Sequence, residues 1–469
     1  MNMEDNTVES QTQVSVIFLY SDHLKKPAFE SIHQELEADR RAILEKLSEK
    51  YRICSHWVVS TNQDLLSFVQ AFQSDESDIV ILLYQTQVEE LHIQELVAAV
   101  GKKPLVTWCY LPWKRAPKPL SYEEYLRASG AASMFVAFYE LRKRSVPYLP
   151  VFGSIQDADL LHKLDAFIQS ARVKTQLRRA NIAVLEHTGV KTDEIFKEFQ
   201  ELGITLKEVH LTEYQEEVTK VSEDEVAEYV QQLREHVPDL MVTIPTLQLG
   251  AKLSVALRRV AFQNNLDVLA LPAHSAEIRK ALKICPGLPP EWSDNPHTIY
   301  LTTLDPGAIL SSVLLRLVTG QVGFLFKAWF WDKARNILVG GHTGLQFPNI
   351  SAPKLSLVCG DYYCNRADPD GGVQLEFIAK PGRVTMLQME YRSDGWKALI
   401  TSGMCLESEL WVEGLPQAVI RPDCTIDHYL DVVSATGSGR NWVMIYGSVI
   451  DELKALFELM QIPFDIIQQ

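Results

Sequence analysis

Apolar runs of strand length alternate with amphipathic helical stretches twice along this chain, and that alternation limits the fold more than any other feature of the sequence. The first series opens with VSVIFLY (14–20) and continues through 52–59, DIVILL (78–83) and PLVTWC (104–109). Helical patterns fill 29–50, 62–73 and 88–100 between them. A strand that is apolar at nearly every position is buried on both faces, and strands joined by helices run parallel under the crossovers. A second series follows, with strands at ANIAVL (180–185), 205–210, 240–245 and 267–271 and helices at 194–202, 222–236 and 248–264. A proline-rich loop at 285–296 precedes a strongly apolar helix at 305–319.

From about residue 323 the pattern changes to short alternating segments bounded by Gly, Asp and Pro, at 337–339, 355–360, 373–379, 383–391, 396–403, 410–412 and 418–420. Period-two alternation of this kind marks an antiparallel β-rich module. The fold class expected is therefore α/β: two doubly wound parallel-sheet α/β domains followed by a β-rich antiparallel, barrel-like C-terminal domain with a terminal strand–helix–strand. The expected boundaries are a disordered lead at 1–13, an N-terminal α/β domain at 14–174, a central α/β domain at 175–322 and a β-rich domain at 323–469 that carries the pocket.

A hydrophobic content of 46% against 22% charged residues suits large buried cores. The net charge of −15 disfavours general attraction to nucleic acid or to an anionic membrane surface, so neither is expected as a partner. There is no apolar run of about 18 residues, as a membrane span requires. The seven cysteines are scattered, Cys359 and Cys364 being the closest pair, which suits reduced thiols in a cytoplasmic protein. Neither α/β series carries a GxGxxG or Walker-type loop after its first strand, which argues against dinucleotide or nucleotide cofactors.

The chemistry concentrates in GQVGFLFKAWFWDKARNILVGGHTG (320–344). Lys327 stands in sequence among Phe324, Phe326, Trp329 and Trp331, and His342 ends an apolar strand. These two are the candidate catalytic residues. Three readings of Lys327 stay open: a side chain snorkelling over aromatics to water, a cation for an anionic ligand, or an amine whose pKa an apolar pocket lowers. Trp329, Trp331 and Trp442 read either as a wall on which a sugar face stacks or as core. Arg440 reads as a surface ion-pair partner or as a contact to an anion. The loop 110–119 and His274 lie after strand ends, where α/β domains meet ligands. Asp427 and His428 read as helix-capping residues.

Five segments, 151–185, 305–326, NILVGGHTG (336–344), AKPGRVTMLQM (379–389) and 437–462, resemble the L-fucose/L-arabinose isomerase family in order and spacing. The resemblance runs from about Val14 to Ile467. It implies a cytoplasmic homo-oligomer, trimer or hexamer, in which the first domain of a neighbouring subunit helps close the pocket. It also implies aldose–ketose isomerisation at a bound divalent ion, usually manganese, which polarises the carbonyl and steadies an enediol-like transition state. Carried over residue by residue, the family's ligand positions fall at Thr302, at Lys327 or (in the arabinose-type register) Leu325, at His342 and at Asn441, and only His342 matches. Threonine and asparagine are weak neutral donors for manganese. An ammonium about 4 Å from a divalent ion would repel it by on the order of 8 kcal/mol at an effective dielectric near 20.

The expectation is thus a sugar-processing protein with no metal or other cofactor, in which Thr302, Asn441, Arg440, Trp329 and Trp442 contact a sugar or anionic sugar derivative. Manganese enters only if the ligand alignment is displaced toward Asp305 or Asp332. Catalysis stays open. The alternatives are a non-catalytic sugar-sensing or partner subunit, and a conventional metal-dependent isomerase.

Overall fold

A computed structural model of the chain describes residues 12–468 apart from 102, 187–191, 273–274, 294–295, 353–354, 359–371 and 439. His274, Cys359 and Cys364 therefore lie outside the described residues, as do residues 1–11 of the expected lead. The chain gathers into two compact bodies. One comprises Met1–Thr175 with Glu458–Gln461, the other Gln176–Phe457 with Ile462–Gln469.

Five parallel strands build the first body: β1 (Gln13–Leu19), β2 (Arg52–Val59), β3 (Ile79–Tyr84), β4 (Leu105–Tyr110) and β5 (Tyr148–Gly153), in the order β2-β1-β3-β4-β5. Successive side chains of a strand face opposite ways, so a wholly apolar strand feeds two cores. Val14, Val16 and Phe18 of β1 join Ile79, Ile81 and Leu83 of β3 in one core, against Ile43, Phe167 and Ile168. Ile17 and Leu19 join Val80 and Leu82 in the other, against Phe68, Leu96 and Leu141. Each such side chain contributes about 1.5–3 kcal/mol on burial. The edge strand β2 instead alternates exposed and half-buried residues over most of its length.

The second body contains a four-stranded parallel sheet of β6 (Ile182–Leu185), β7 (Leu206–Val209), β9 (Val268–Ala270) and β10 (Ile299–Leu301), ordered β10-β9-β6-β7. The strand expected at 240–245 is not part of this sheet. It is reduced to β8 (Asp239–Met241), which pairs in parallel with β13 (Ser356–Val358). A helix, Ile244–Gln263, starts almost at once: the Thr243 side chain accepts Thr246 N–H and Pro245 sits in the first turn. A cap followed by a proline that needs no N–H partner favours a helix start over a strand. The fourth place in the sheet goes to β10, whose three residues the periodicity does not reveal.

The remaining strands are β11 (Phe324–Asp332), β12 (Ile337–Gly341), β14 (Gln374–Ile378), β15 (Gly382–Arg392), β16 (Gly395–Cys405), β17 (Pro416–Pro422), β18 (Trp442–Tyr446) and β19 (Phe464–Ile467). Six of them close an antiparallel barrel in the order β16-β15-β18-β11-β12-β17, with β17 returning to β16. Closure removes free edges from the ring. The segment 410–412 is not a strand; Trp411 N–H and Val412 N–H donate to Gln417 Oε1 at 2.7 and 3.1 Å. Two parallel-sheet α/β layers and an antiparallel six-stranded barrel thus make up the chain. Among the described residues, no helix is long and apolar enough to cross a membrane.

Candidate functional site

Four elements of the second body meet where the family resemblance directs attention: the end of β10, the start of helix Pro306–Thr319, the end of β12 and the start of β18. The helix begins where the chain demands it. Asp305 is its N-cap, Oδ1 accepting Gly307 N–H at 3.0 Å, and Pro306 occupies the first turn. Gly320, left-handed at φ +73°, ends it and donates N–H to Arg316 O at 2.8 Å. Its first turn lies hard against β15. A Cβ at Gly307 would come within 1.9 Å of Met389 O, and Met389 N–H donates to Ser311 Oγ at 2.9 Å.

Asp305 Oδ2 accepts Asn441 Nδ2–H at 2.6 Å, and Asn441 is only 4% exposed. The residue just before β18 is therefore fastened to the helix cap. Thr302, also 4% exposed, follows β10 directly. Its Oγ1 donates to Thr343 O at 2.9 Å and lies 3.2 Å from His342 Nδ1. His342 Nδ1 is also 2.9 Å from Thr343 O. A carbonyl only accepts, so the Nδ1 contact to Thr343 O places a proton on Nδ1.

The glycines around His342 are dictated by close backbone approach. A Cβ at Gly340 would lie 2.3 Å from Lys327 O, and one at Gly341 would lie 2.1 Å from Pro416 O, so β12 is pressed between its two neighbours. Gly344, at φ +89°, passes Thr302 so closely that a Cβ would come within 2.6 Å of Thr302 Cγ2. Gln374 completes the turn, accepting Gly344 N–H at 3.1 Å and donating to Gly414 O at 2.6 Å. Sequence reading misses Gln374, because a polar residue inside a β-strand carries no local sign of its partner 30 residues away.

The structure thus joins Thr302 to His342 and Asn441 to Asp305. Of the three readings of Lys327, its exposure suits a side chain that reaches water. It is exposed on β11, opposite Gly341 in register, and has no hydrogen-bond or ion-pair partner among the described residues. The aromatics do not enclose it. Phe324 and Phe326 alternate to the other face, where both are buried, and Phe324 packs against Phe377 with ring centroids 6.1 Å apart. Trp329 is half-buried and Trp331 exposed.

Trp442 is wholly buried, its ring 6.0 Å from Tyr429 and its Nε1 without a hydrogen-bond partner. That placement is core rather than an open stacking face. Arg440 is exposed. In the first body, Trp108 is fully buried and donates to Gly153 O at 3.0 Å. A cavity of about 300 Å³ opens there, but after β1 and β3 rather than along 110–119. Ser21, His23, Thr86, Glu89 and Tyr125 are among its lining residues. Strand order reverses between β1 and β3, the place where open α/β sheets offer ligand crevices.

Among the described residues, the donors around His342 are a poor match to manganese, which prefers carboxylate and imidazole ligands. It offers one imidazole with a threonine hydroxyl and an asparagine amide that are already hydrogen-bonded. Both Asp305 oxygens are engaged, by Gly307 N–H and by Asn441. Asp332 is turned to its own hairpin, accepting Arg335 N–H and pairing with Arg335 Nη1 at 3.1 Å. Among the described residues, the only set of three or more His, Cys, Asp and Glu whose ligand atoms lie mutually within 4.8 Å is Glu186, Glu208 and His210, which flank β6 and β7 rather than this site.

No protein-family model matches the chain. It is 23% identical over 420 residues to the sulfoquinovose isomerases of Priestia aryabhattai and Priestia megaterium, covering 87% of this chain and 90% of each relative. It is 21% identical over 333 residues to the sulfoquinovose isomerase of Alkalicoccus urumqiensis, covering 69% of this chain and 73% of that relative. These likenesses support a kinship of this chain with sugar isomerases.

Proposed function

We propose that this protein processes or binds a sugar bearing an anionic group, of which sulfoquinovose is the first to test, on an L-fucose/L-arabinose isomerase-like fold without the manganese site. One observation supports the reading: Thr302, His342 and Asn441, the positions to which the family resemblance carries metal ligands, are each tied into hydrogen bonds within the protein. The relatives' shared name points to a sulfonated sugar, and a protein of net charge −15 needs local cations to hold one. Lys327 and Arg440, both exposed, are the cations proposed to meet the sulfonate.

In the catalytic form of this reading, the imidazole of His342 takes the proton from the carbon next to the carbonyl. It returns that proton to the adjacent carbon, while one proton passes between the two sugar oxygens, so aldose and ketose interconvert with nothing gained or lost. A homo-oligomer, trimer or hexamer, in which the first body of a neighbouring copy closes the site, belongs to the same proposal. A cytoplasmic setting does too.

The saturation of the Asp305 and Thr302 hydrogen bonds favours, as a second reading, a non-catalytic sugar-binding subunit. Proton NMR of sulfoquinovose incubated with the purified protein separates the two. Conversion to the ketose supports the catalytic form, binding without conversion supports the second, and neither binding nor conversion across neutral and anionic sugars contradicts both.

A further inference from the structure

The amino ends of the same parallel strands that lead into the candidate site border a second cavity, of about 340 Å³. Gln176 and Arg179 reach it from the last turn of helix Ala158–Arg179, and Arg316 from the last turn of Pro306–Thr319. Asp267 stands before β9 and His297 before β10. The volume lies within the range of small-molecule pockets.

Basic residues in a last helical turn commonly cap the terminal carbonyls of their own helix. These two do not. Arg316 Nη2 donates at 3.1 Å to Pro296 O, on a separate segment, while Nη1 is closed off from water without a partner. Arg179 and Gln176 have no hydrogen-bond or ion-pair partner among the described residues. Asp267, the one carboxylate lining the cavity, accepts Asn181 N–H through Oδ2 at 2.7 Å and forms no ion pair with either arginine. Burial works against the Arg316 charge and pulls its pKa down, with Asp267 and Glu291 opposing at longer range. Two guanidiniums, an imidazole and an amide thus share one cavity with a single carboxylate, and among the described residues neither arginine has an ion-pair partner.

We infer that this cavity is a binding site for a small oxyanion, the phosphate or sulfonate group of a metabolite, clamped between Arg179 and Arg316. Guanidinium geometry suits such groups, which accept two N–H bonds side by side. The site is separate from the His342 cluster and stands whatever that cluster does.

Titration calorimetry of the full chain with sodium phosphate tests it, with chloride adjusted to hold ionic strength constant. Glucose 6-phosphate and methanesulfonate serve as parallel arms that tell a free ion from an ester or a sulfonate. The expected result is saturable one-site binding of phosphate or of one of these probes, weakened about tenfold or more in R179Q, where a charge-assisted bond is lost. Arg179 is exposed, so this variant keeps its fold even if R316K does not. No saturable binding by any probe would overturn the inference, as would saturable binding that R179Q leaves unchanged.

Discussion

Asn441 Nδ2 donates to Asp305 Oδ2 at 2.6 Å, joining the residue before β18 to the cap of the buried helix Pro306–Thr319. The bond gives Asn441 a structural role. Asn441→Ala should destabilise the second body by about 1–3 kcal/mol, because the half-buried Asp305 carboxylate then loses a donor. Urea unfolding followed by tryptophan fluorescence measures this, and a change under about 0.5 kcal/mol would show that the bond carries little.

Gly340 and Gly341 leave no room for a side chain, since added Cβ atoms would sit 2.3 Å from Lys327 O and 2.1 Å from Pro416 O. Alanine at either position should cost about 1–3 kcal/mol or more through displaced strands. The same substitution at Gly320, where a Cβ meets nothing within 4 Å, should cost less, with the left-handed φ of +73° as its one penalty. Thermal unfolding of the three variants side by side tests the ordering.

Lys327 separates binding from folding. Because its side chain is exposed and unpaired among the described residues, Lys327→Gln should leave stability within about 0.5 kcal/mol of the parent. Affinity for sulfoquinovose should fall severalfold while affinity for the uncharged quinovose stays the same. Equal weakening for both sugars would remove the anion-holding role.

The first body offers a pH signature. Burial raises the pKa of Asp75, but hydrogen bonds from Lys103, Ser15 and Ser77 outweigh it and hold the carboxyl below its usual range. A group depressed in the folded state adds stability above its unfolded pKa and loses it as pH falls through the folded value. Asp75→Asn should therefore cost about 2 kcal/mol at pH 7 and progressively less below about pH 4. Urea midpoints of parent and variant that differ equally at pH 7 and pH 3 would contradict this.

Much of the architecture was legible because burial on two faces leaves an unmistakable record. Runs such as VSVIFLY and DIVILL have no other soluble home, and the shift to short alternating segments after 323 marks the barrel. What escaped reading was decided by distant partners. Strand β10 is three residues long and is defined by β9 beside it, while β8 left its expected sheet to pair with β13. At the site, the positions of Thr302, His342 and Asn441 came from the family resemblance. Their bonds to one another and to Asp305 did not, because they join residues 40 and 136 apart in the chain. For Lys327 the sequence left three readings open, because neighbours along a strand face opposite sides and an aromatic-rich run need not surround the lysine within it.

The most direct test of the account is to follow sulfoquinovose by proton NMR with protein of known metal content, before and after chelation and then with added manganese. The account predicts the same binding or conversion in all three states and manganese far below one ion per chain. Conversion that vanishes on chelation and returns with one equivalent of manganese would contradict it.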